Sequence, residues 1–244
     1  MPESAKPIAT AYRLLGKALR TFRLIEEGDR VLAALSGGKD SLFLLELLAK
    51  RKKILFPRFS LGAVHIRMSN IDYESDTSYL EMFCKSRDIP FTVLETSFEP
   101  DRNSHRSPCF LCSWTRRKQI FDYAQKQGFN KIALGHHNDD VLHTLLMNQI
   151  YEGQYTTMPP LLRMEKMPLS IIRPLCMIPE KLIVAHAEAS RYQPQWKRCP
   201  YEHESKRTQV RRLFEDMERL NPEVRHSLWH SLMKQPSFGS GKSE

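Results

Sequence analysis

The chain has 244 residues, 41% of them hydrophobic, and a formal net charge of +9. That length supports one domain of ordinary size with an appended piece, and no run reaches the ~18 consecutive apolar residues of a membrane span, because Glu46 interrupts the longest one. Five cysteines, an odd number, and the absence of an apolar signal core in Met1–Pro7 argue against a disulfide framework and for a reduced, cytoplasmic setting without a membrane partner.

Ile8, Tyr12, Leu15, Leu19 and Phe22 recur at helical spacing and predict an amphipathic helix over Pro7–Glu27. Strands expected at Val31–Leu35, Leu61–Ile66, Phe91–Glu95 and Lys131–Gly135 then alternate with helices over Ser41–Arg51, Glu74–Lys85, Phe110–Gln127 and Asp139–Tyr151. A fifth strand near Ser170–Arg173 and a helix over Glu180–Ala189 complete the pattern. Repeated β–α alternation predicts an α/β fold, a parallel twisted sheet with helices on both faces that ligands enter at the carboxyl edge. After an irregular stretch over Arg191–Cys199, helices are expected at Ser205–Leu220 and Pro222–Met233. The expected organisation is an N-terminal helix (1–28), an α/β domain (29–190), a C-terminal extension (191–234) and a disordered tail (235–244).

Three expected strand exits carry unusual polar groups. At the first, Ser36-Gly37-Gly38-Lys39-Asp40-Ser41 separates a buried strand from a helix start. Backbone N–H groups at the positive end of a helix suit a phosphate, glycines permit close backbone approach, and the serines add hydroxyl donors. The spacing is not that of a Walker loop. Lys39 would meet phosphate oxygens, and Asp40 would hold Mg²⁺ or position a reacting group. At the second exit, backbone groups near His65 would face a nucleobase, whereas a lone strand histidine is more often structural. The third reads Gly135-His136-His137-Asn138-Asp139-Asp140. Asn138 suits an N-cap and the acids suit the helix dipole, which leaves both histidines unexplained. Together they would hold a metal–nucleotide or move protons.

Cys109 and Cys112 form Cys-x-x-Cys behind Pro108, in a segment whose basic residues Arg102, Arg106, Arg116, Arg117, Lys118, Lys126 and Lys131 face one acid, Asp122. Such an excess attracts polyanions, and a helix start beside cations favours thiolates. Cys199 supplies a third thiol, leaving one position of a tetrahedral metal site open or one iron of a cluster uncapped. His105 or His203 as a fourth ligand keeps zinc open. Cys84 and Cys176 lie among apolar neighbours and read as core.

In order along the chain, Ser36–Ser41, Pro108-Cys109-Phe110-Leu111-Cys112-Ser113 with Arg116-Arg117, Ala133–Asp140, Gly153 through Met158-Pro159-Pro160, Ile172-Arg173-Pro174-Leu175 and Cys199 resemble the TtcA-like tRNA 2-thiocytidine synthetase family of PP-loop thiolation enzymes. The resemblance implies an adenine nucleotide α-hydrolase-like fold. It implies ATP and Mg²⁺ held by Ser36, Gly37, Gly38, Lys39, Asp40 and Ser41, with His65, Gly135, His136, Asp139 and Asp140 assisting. It also implies a [4Fe–4S] cluster on Cys109, Cys112 and Cys199, with these cysteines and Asp40 as the catalytic set. Arg116, Arg117 and Lys118 would steer tRNA, whose anticodon-loop cytidine is adenylated at C2 and then thiolated, releasing AMP and pyrophosphate. A cysteine desulfurase or free sulfide would donate sulfur, and a homodimer stays open. Around Cys199 the sequence reads Cys-Pro-Tyr-Glu, where some members carry a second cysteine. The long cysteine-rich segments of thiouridine relatives are absent, which favours the cytidine branch. Rival readings are a thiolated-base desulfidase, a lysidine-type ligase, and a noncatalytic RNA-binding or redox-sensing protein.

Overall fold

The computed structural model describes residues 5–70, 76–98, 108–193, 206–236 and 238. In chain order the elements are α1 (Ala5–Thr21), β1 (Arg30–Ala34), α2 (Lys39–Lys52), β2 (Ser60–Met68), α3 (Thr77–Lys85), β3 (Phe91–Thr96), α4 (Pro108–Lys126), β4 (Lys131–Ala133), α5 (Asn138–Glu152), β5 (Leu161–Arg163), β6 (Ser170–Ile172), α6 (Glu180–Ala189), α7 (Lys206–Leu220) and α8 (Val224–Met233). The strands form one sheet in the order β3-β2-β1-β4-β6-β5. All neighbours are parallel except β5, which runs antiparallel to β6. This is the expected α/β architecture with one addition, the edge strand β5. Its three residues are too short to carry a two-residue apolar period.

Successive side chains of the parallel strands feed opposite cores, because both faces of the sheet are covered. Val31, Ala33, Leu61 and Ala63 join a large core with α1, α2, α3, α5, α6, α7 and α8. Leu32, Val64, Ile66, Met68 and Ile132 join a smaller one with Ala124, Leu111, Ile120 and Phe121 of α4. The acid that breaks the longest apolar run, Glu46, is a buried hub within α2. It bonds Lys50 at 2.9 Å, Tyr192 at 2.8 Å and Arg87 at 3.0 Å, and His186 lies 3.2 Å away. Burial opposes its ionisation, but these partners hold its carboxyl well below the usual range. Burial also pushes the thiols of Cys84 and Cys176 up to about 12, so both sit in the core as neutral thiols.

The C-terminal helices belong to the same core: α7 and α8 pack on α5, and Val210, Phe214 and Leu232 are buried with it. Phe238 falls in the stretch expected to be a disordered tail. It is instead buried edge-on against Phe22 and Trp229, an apolar anchor that no helical period announces. No described helix is long and apolar enough to cross a membrane.

Candidate active site

The sheet order reverses direction between β1 and β4, whose residues Val31–Ala33 pair with Lys131–Ala133. At such a switch point the loops leaving adjacent strands diverge to opposite sides and open a crevice at the carboxyl edge. The loops here are Leu35–Gly38, leading into α2, and Leu134–His137, leading into α5.

The first loop turns at Gly37, whose φ of 84° only glycine adopts without strain. Gly38 is the N-cap of α2 in an extended conformation and offers no side-chain cap, so the Lys39 and Asp40 N–H groups of the first turn face outward to an anion, while that of Ser41 donates to the Gly38 carbonyl at 3.1 Å. Two serine hydroxyls brace the turn: Ser41 Oγ donates to the Gly38 carbonyl at 2.9 Å and Ser36 Oγ to Ser41 Oγ at 3.2 Å. The strand behind it is fixed by Leu35 N–H donating to Val64 O at 2.8 Å. His65 lies within β2, which continues to Met68, and is 2% exposed. Its Nδ1 is 2.7 Å from the Leu35 carbonyl, so the side chain steadies the loop entrance instead of lying at a strand end facing a ligand.

The second loop fits against the first at Gly135. A Cβ there would lie 3.1 Å from the carbonyl carbon of Asp40 and 3.2 Å from its oxygen and from Ser41 N. Only glycine permits this approach without a backbone shift. His137, the N-cap of α5, donates its N–H to Asp140 Oδ2 at 3.1 Å. Its ring is buried among three carboxylates: Nε2 is 3.5 Å from Asp140 and 3.8 Å from Asp40, and Nδ1 is 3.6 Å from Asp139. Burial pulls its pKa down, but the carboxylates outweigh burial and the net shift is upward. His136 shifts the other way, to about 4, through burial and the nearby Arg173 guanidinium, and is neutral at pH 7. Adjacent imidazoles are thus shifted in opposite directions.

Lys39 spans the crevice, with Nζ 3.0 Å from Asp40 and 2.8 Å from Glu180 at the start of α6. Burial opposes its charge, yet these carboxylates raise its pKa. Glu180 shares its other oxygen with Arg211 of α7 at 2.9 Å. Asp139 accepts from Glu180 N–H at 2.7 Å and pairs with Arg225 of α8 at 2.8 Å. Burial resists its ionisation, but His137, Arg225 and that N–H keep its carboxyl well below the usual range. Arg225 also donates to Asn138 Oδ1 at 3.1 Å, and Arg207 of α7 lies 3.8 Å from Asp140. A cavity of about 490 Å³ adjoins this network between α5, α6 and α7, bounded by Asp139, Glu180, Arg211, Phe214 and Arg225.

Three buried side-chain nitrogens at this edge have no hydrogen-bond partner among the described residues: His136 Nδ1, His137 Nδ1 and Arg173 Nε. Arg173 is 7% exposed; its Nη1 donates to the Pro159 carbonyl, and burial lowers its pKa to about 10, leaving it protonated at neutral pH. A buried cation, orphaned ring nitrogen and uncapped helix start fit an anionic, hydrogen-bonding ligand such as a nucleotide. No group of three or more His, Cys, Asp or Glu among the described residues is arranged to hold a metal ion. Asp139 in particular is already engaged.

Cys109 and Cys112 lie in the first turns of α4, the former exposed and the latter half-buried. Because α4 joins parallel strands β3 and β4, it starts at the same carboxyl edge as the glycine loop. Arg117 and Lys118 are exposed and Arg116 half-buried on that helix. Cys199, like His105 and His203, lies outside the described residues. Thus the structure brings together Ser36–Ser41, Gly135, His136, Asp139 and Asp140, with His65 behind them. Sequence reasoning missed Arg173, Glu180, Arg211 and Arg225 as members of the network. Arg173 and Glu180 follow β6 as Lys39 follows β1, a positional signal that could have found them, but nothing in the local pattern of α7 and α8 marks their arginines.

Residues 10–215 match the PP-loop domain family. A tRNA-cytidine(32) 2-sulfurtransferase of Citrifermentans bemidjiense is 34% identical over 224 residues, 89% of this chain and 87% of that protein. One from Alkalilimnicola ehrlichii is 38% identical over 179 residues, 72% of this chain, and the matched region spans 56% of that relative. Among solved structures, the U34-tRNA thiolase NcsA from Methanococcus maripaludis with its [4Fe–4S] cluster superposes with a TM-score of 0.76 at 24% identity, covering 93% of this chain and 78% of that one, so the fold is shared. The fold and the glycine loop are those of a PP-loop protein. The chain belongs to the TtcA-like family of PP-loop tRNA sulfurtransferases, enzymes of tRNA thiolation.

Proposed function

We propose that the chain adenylates the C2 oxygen of an anticodon-loop cytidine in tRNA and replaces that oxygen with sulfur, giving 2-thiocytidine, AMP and pyrophosphate. The observation that carries this reading is the shared carboxyl edge, where the glycine loop, the His-His-Asn-Asp-Asp loop and the Cys-x-x-Cys helix all begin. Ser36, Gly37, Gly38, Lys39 and Ser41 bind the phosphates of ATP. Asp40 and Asp140, more exposed than Asp139, are the carboxylates that would face Mg²⁺, which would be carried chiefly by phosphate oxygens. His136, neutral and with an orphaned nitrogen, contacts the nucleotide, while Asp139 positions His137 and the start of α6.

The base oxygen attacks the α-phosphorus, the α–β P–O bond breaks, and pyrophosphate leaves. Sulfide then attacks C2, the C–O bond breaks, and AMP departs as a far better leaving group than oxide. Two cysteines spaced i, i+3 at a helix start beside a basic stretch suit thiolate ligation, so Cys109 and Cys112, with Cys199, would hold a [4Fe–4S] cluster that supplies deprotonated sulfur when bound. Arg116, Arg117 and Lys118 draw the tRNA to that edge.

The test is anaerobic turnover with ATP, sulfide and tRNA, alongside iron and sulfide assays. One AMP and one pyrophosphate should form per 2-thiocytidine. Cys109→Ala, Cys112→Ala and Cys199→Ala should each lose bound iron while Cys84→Ala retains it. RNA binding without AMP would mark a noncatalytic binder, and sulfur release from thiolated bases without ATP consumption a desulfidase.

A further inference from the structure

The N-terminal half of α4 turns two aromatic rings outward. Cys109, Phe110, Ser113, Trp114, Arg117 and Lys118 are all exposed and recur at i, i+4 and i+8, so they share one face of the helix. The opposite side is spent on the core, where Leu111, Cys112, Ile120 and Phe121 pack with Leu32, Val64 and Ile132. Trp114 is 48% exposed and Phe110 is 41% exposed. Lys118 places its ammonium 5.7 Å from the centre of the Trp114 ring. Trp229, by contrast, is packed against Phe238 and the large core.

We infer that the Phe110–Trp114 face of α4 is a stacking platform for an unpaired RNA base, with Trp114 supplying the ring and Arg117 and Lys118 the adjacent phosphate contacts. This rests on the tRNA reading above and adds how the RNA is gripped. The chemistry favours a single-stranded nucleic acid over other occupants. An indole presents a flat apolar face to any base, base–aromatic stacking tolerates sequence, and neighbouring cations take the backbone charge. A duplex offers no free base face to such a ring. The helix carries no acid before Asp122, so a polyanion meets no opposing charge along this stripe. A base seated on Trp114 would lie on the same helix face as Cys109, which is exposed one turn away.

The experiment measures affinity for an anticodon stem-loop RNA, and for a fully paired duplex of equal phosphate number, across a salt series. Trp114→Ala should weaken stem-loop binding by about 5- to 100-fold, and Trp114→Tyr should restore most of it. The salt slope should stay unchanged, whereas Lys118→Gln should reduce it by about one. Duplex affinity should be the same in wild type and Trp114→Ala. Tryptophan emission should be quenched by the stem-loop in wild type but less so in Trp114→Phe. Wild-type stem-loop affinity in Trp114→Ala, with its melting temperature unchanged, overturns the platform while leaving the thiolation reading intact. Unaltered RNA affinity with slower sulfur supply from a protein donor would assign the face to that donor and also overturn it. A wild-type protein that binds no RNA would remove the tRNA reading itself, and the platform with it.

Discussion

The nucleotide half of the carboxyl edge and its cysteine half are built on opposite principles. Around the glycine loop, Lys39, Asp139 and Glu180 are half-buried or buried and tied by bonds of 2.7–2.9 Å to one another's elements. On α4 the side chains of Cys109, Phe110, Trp114, Arg117 and Lys118 are exposed. The contrast matches the two kinds of ligand proposed for them. A small, highly charged ligand rewards donors fixed beforehand in a low-dielectric site, whereas a large polyanion rewards an open surface reached by long-range attraction.

Mutations can break that division. The largest effect is expected from Gly135→Val, which drives a branched side chain into the Asp40–Ser41 backbone, already 3.1–3.2 Å from where a Cβ would sit. ATP-dependent AMP formation should fall by about 100-fold while RNA affinity holds, as rapid-quench and binding measurements would show. Next, Lys39→Ala should weaken ATP binding by about tenfold or more, the scale of a lost charge-assisted bond, again sparing RNA. The reciprocal experiment, Arg117→Gln with Lys118→Gln, should lower the salt slope of RNA binding by about two and leave the ATP Kd alone. If either class of variant crossed over, the halves would not be separate.

The smallest effect sharpens the comparison through pH. Unfolded His136 takes its proton near 6.5, the folded protein only at about 4. Between these values the unfolded chain binds more protons, so stability should drop as pH falls through that window. His136→Asn should flatten the decline in thermal melts. His137 acts with the opposite sign: its raised pKa gives stability that is present below the ordinary imidazole value and lost as pH rises through the folded one.

What was legible in the chain follows the same physics. Parallel strands buried on both faces read as apolar runs, so β1, β2 and β4 and the helices after them stand close to where Val31–Leu35, Leu61–Ile66 and Lys131–Gly135 placed them. The glycine loop and the His-His loop were readable as strand exits because glycines and adjacent polar residues interrupt the apolar runs there. His65 lies inside β2, which runs on to Met68, and its side chain braces the Leu35 carbonyl, a structural use of the kind a lone strand histidine suggests. Arg211 and Arg225 were illegible for a different reason. They lie more than 70 residues beyond Asp139, on helices whose local pattern reports only an amphipathic surface. Long-range pairing of that kind leaves no trace in spacing.

Glu180 answers to two masters at once, one oxygen on Lys39 and the other on Arg211. A ligand that drew the lysine away would leave this carboxylate to the arginine alone, so filling of the crevice would be felt at α7.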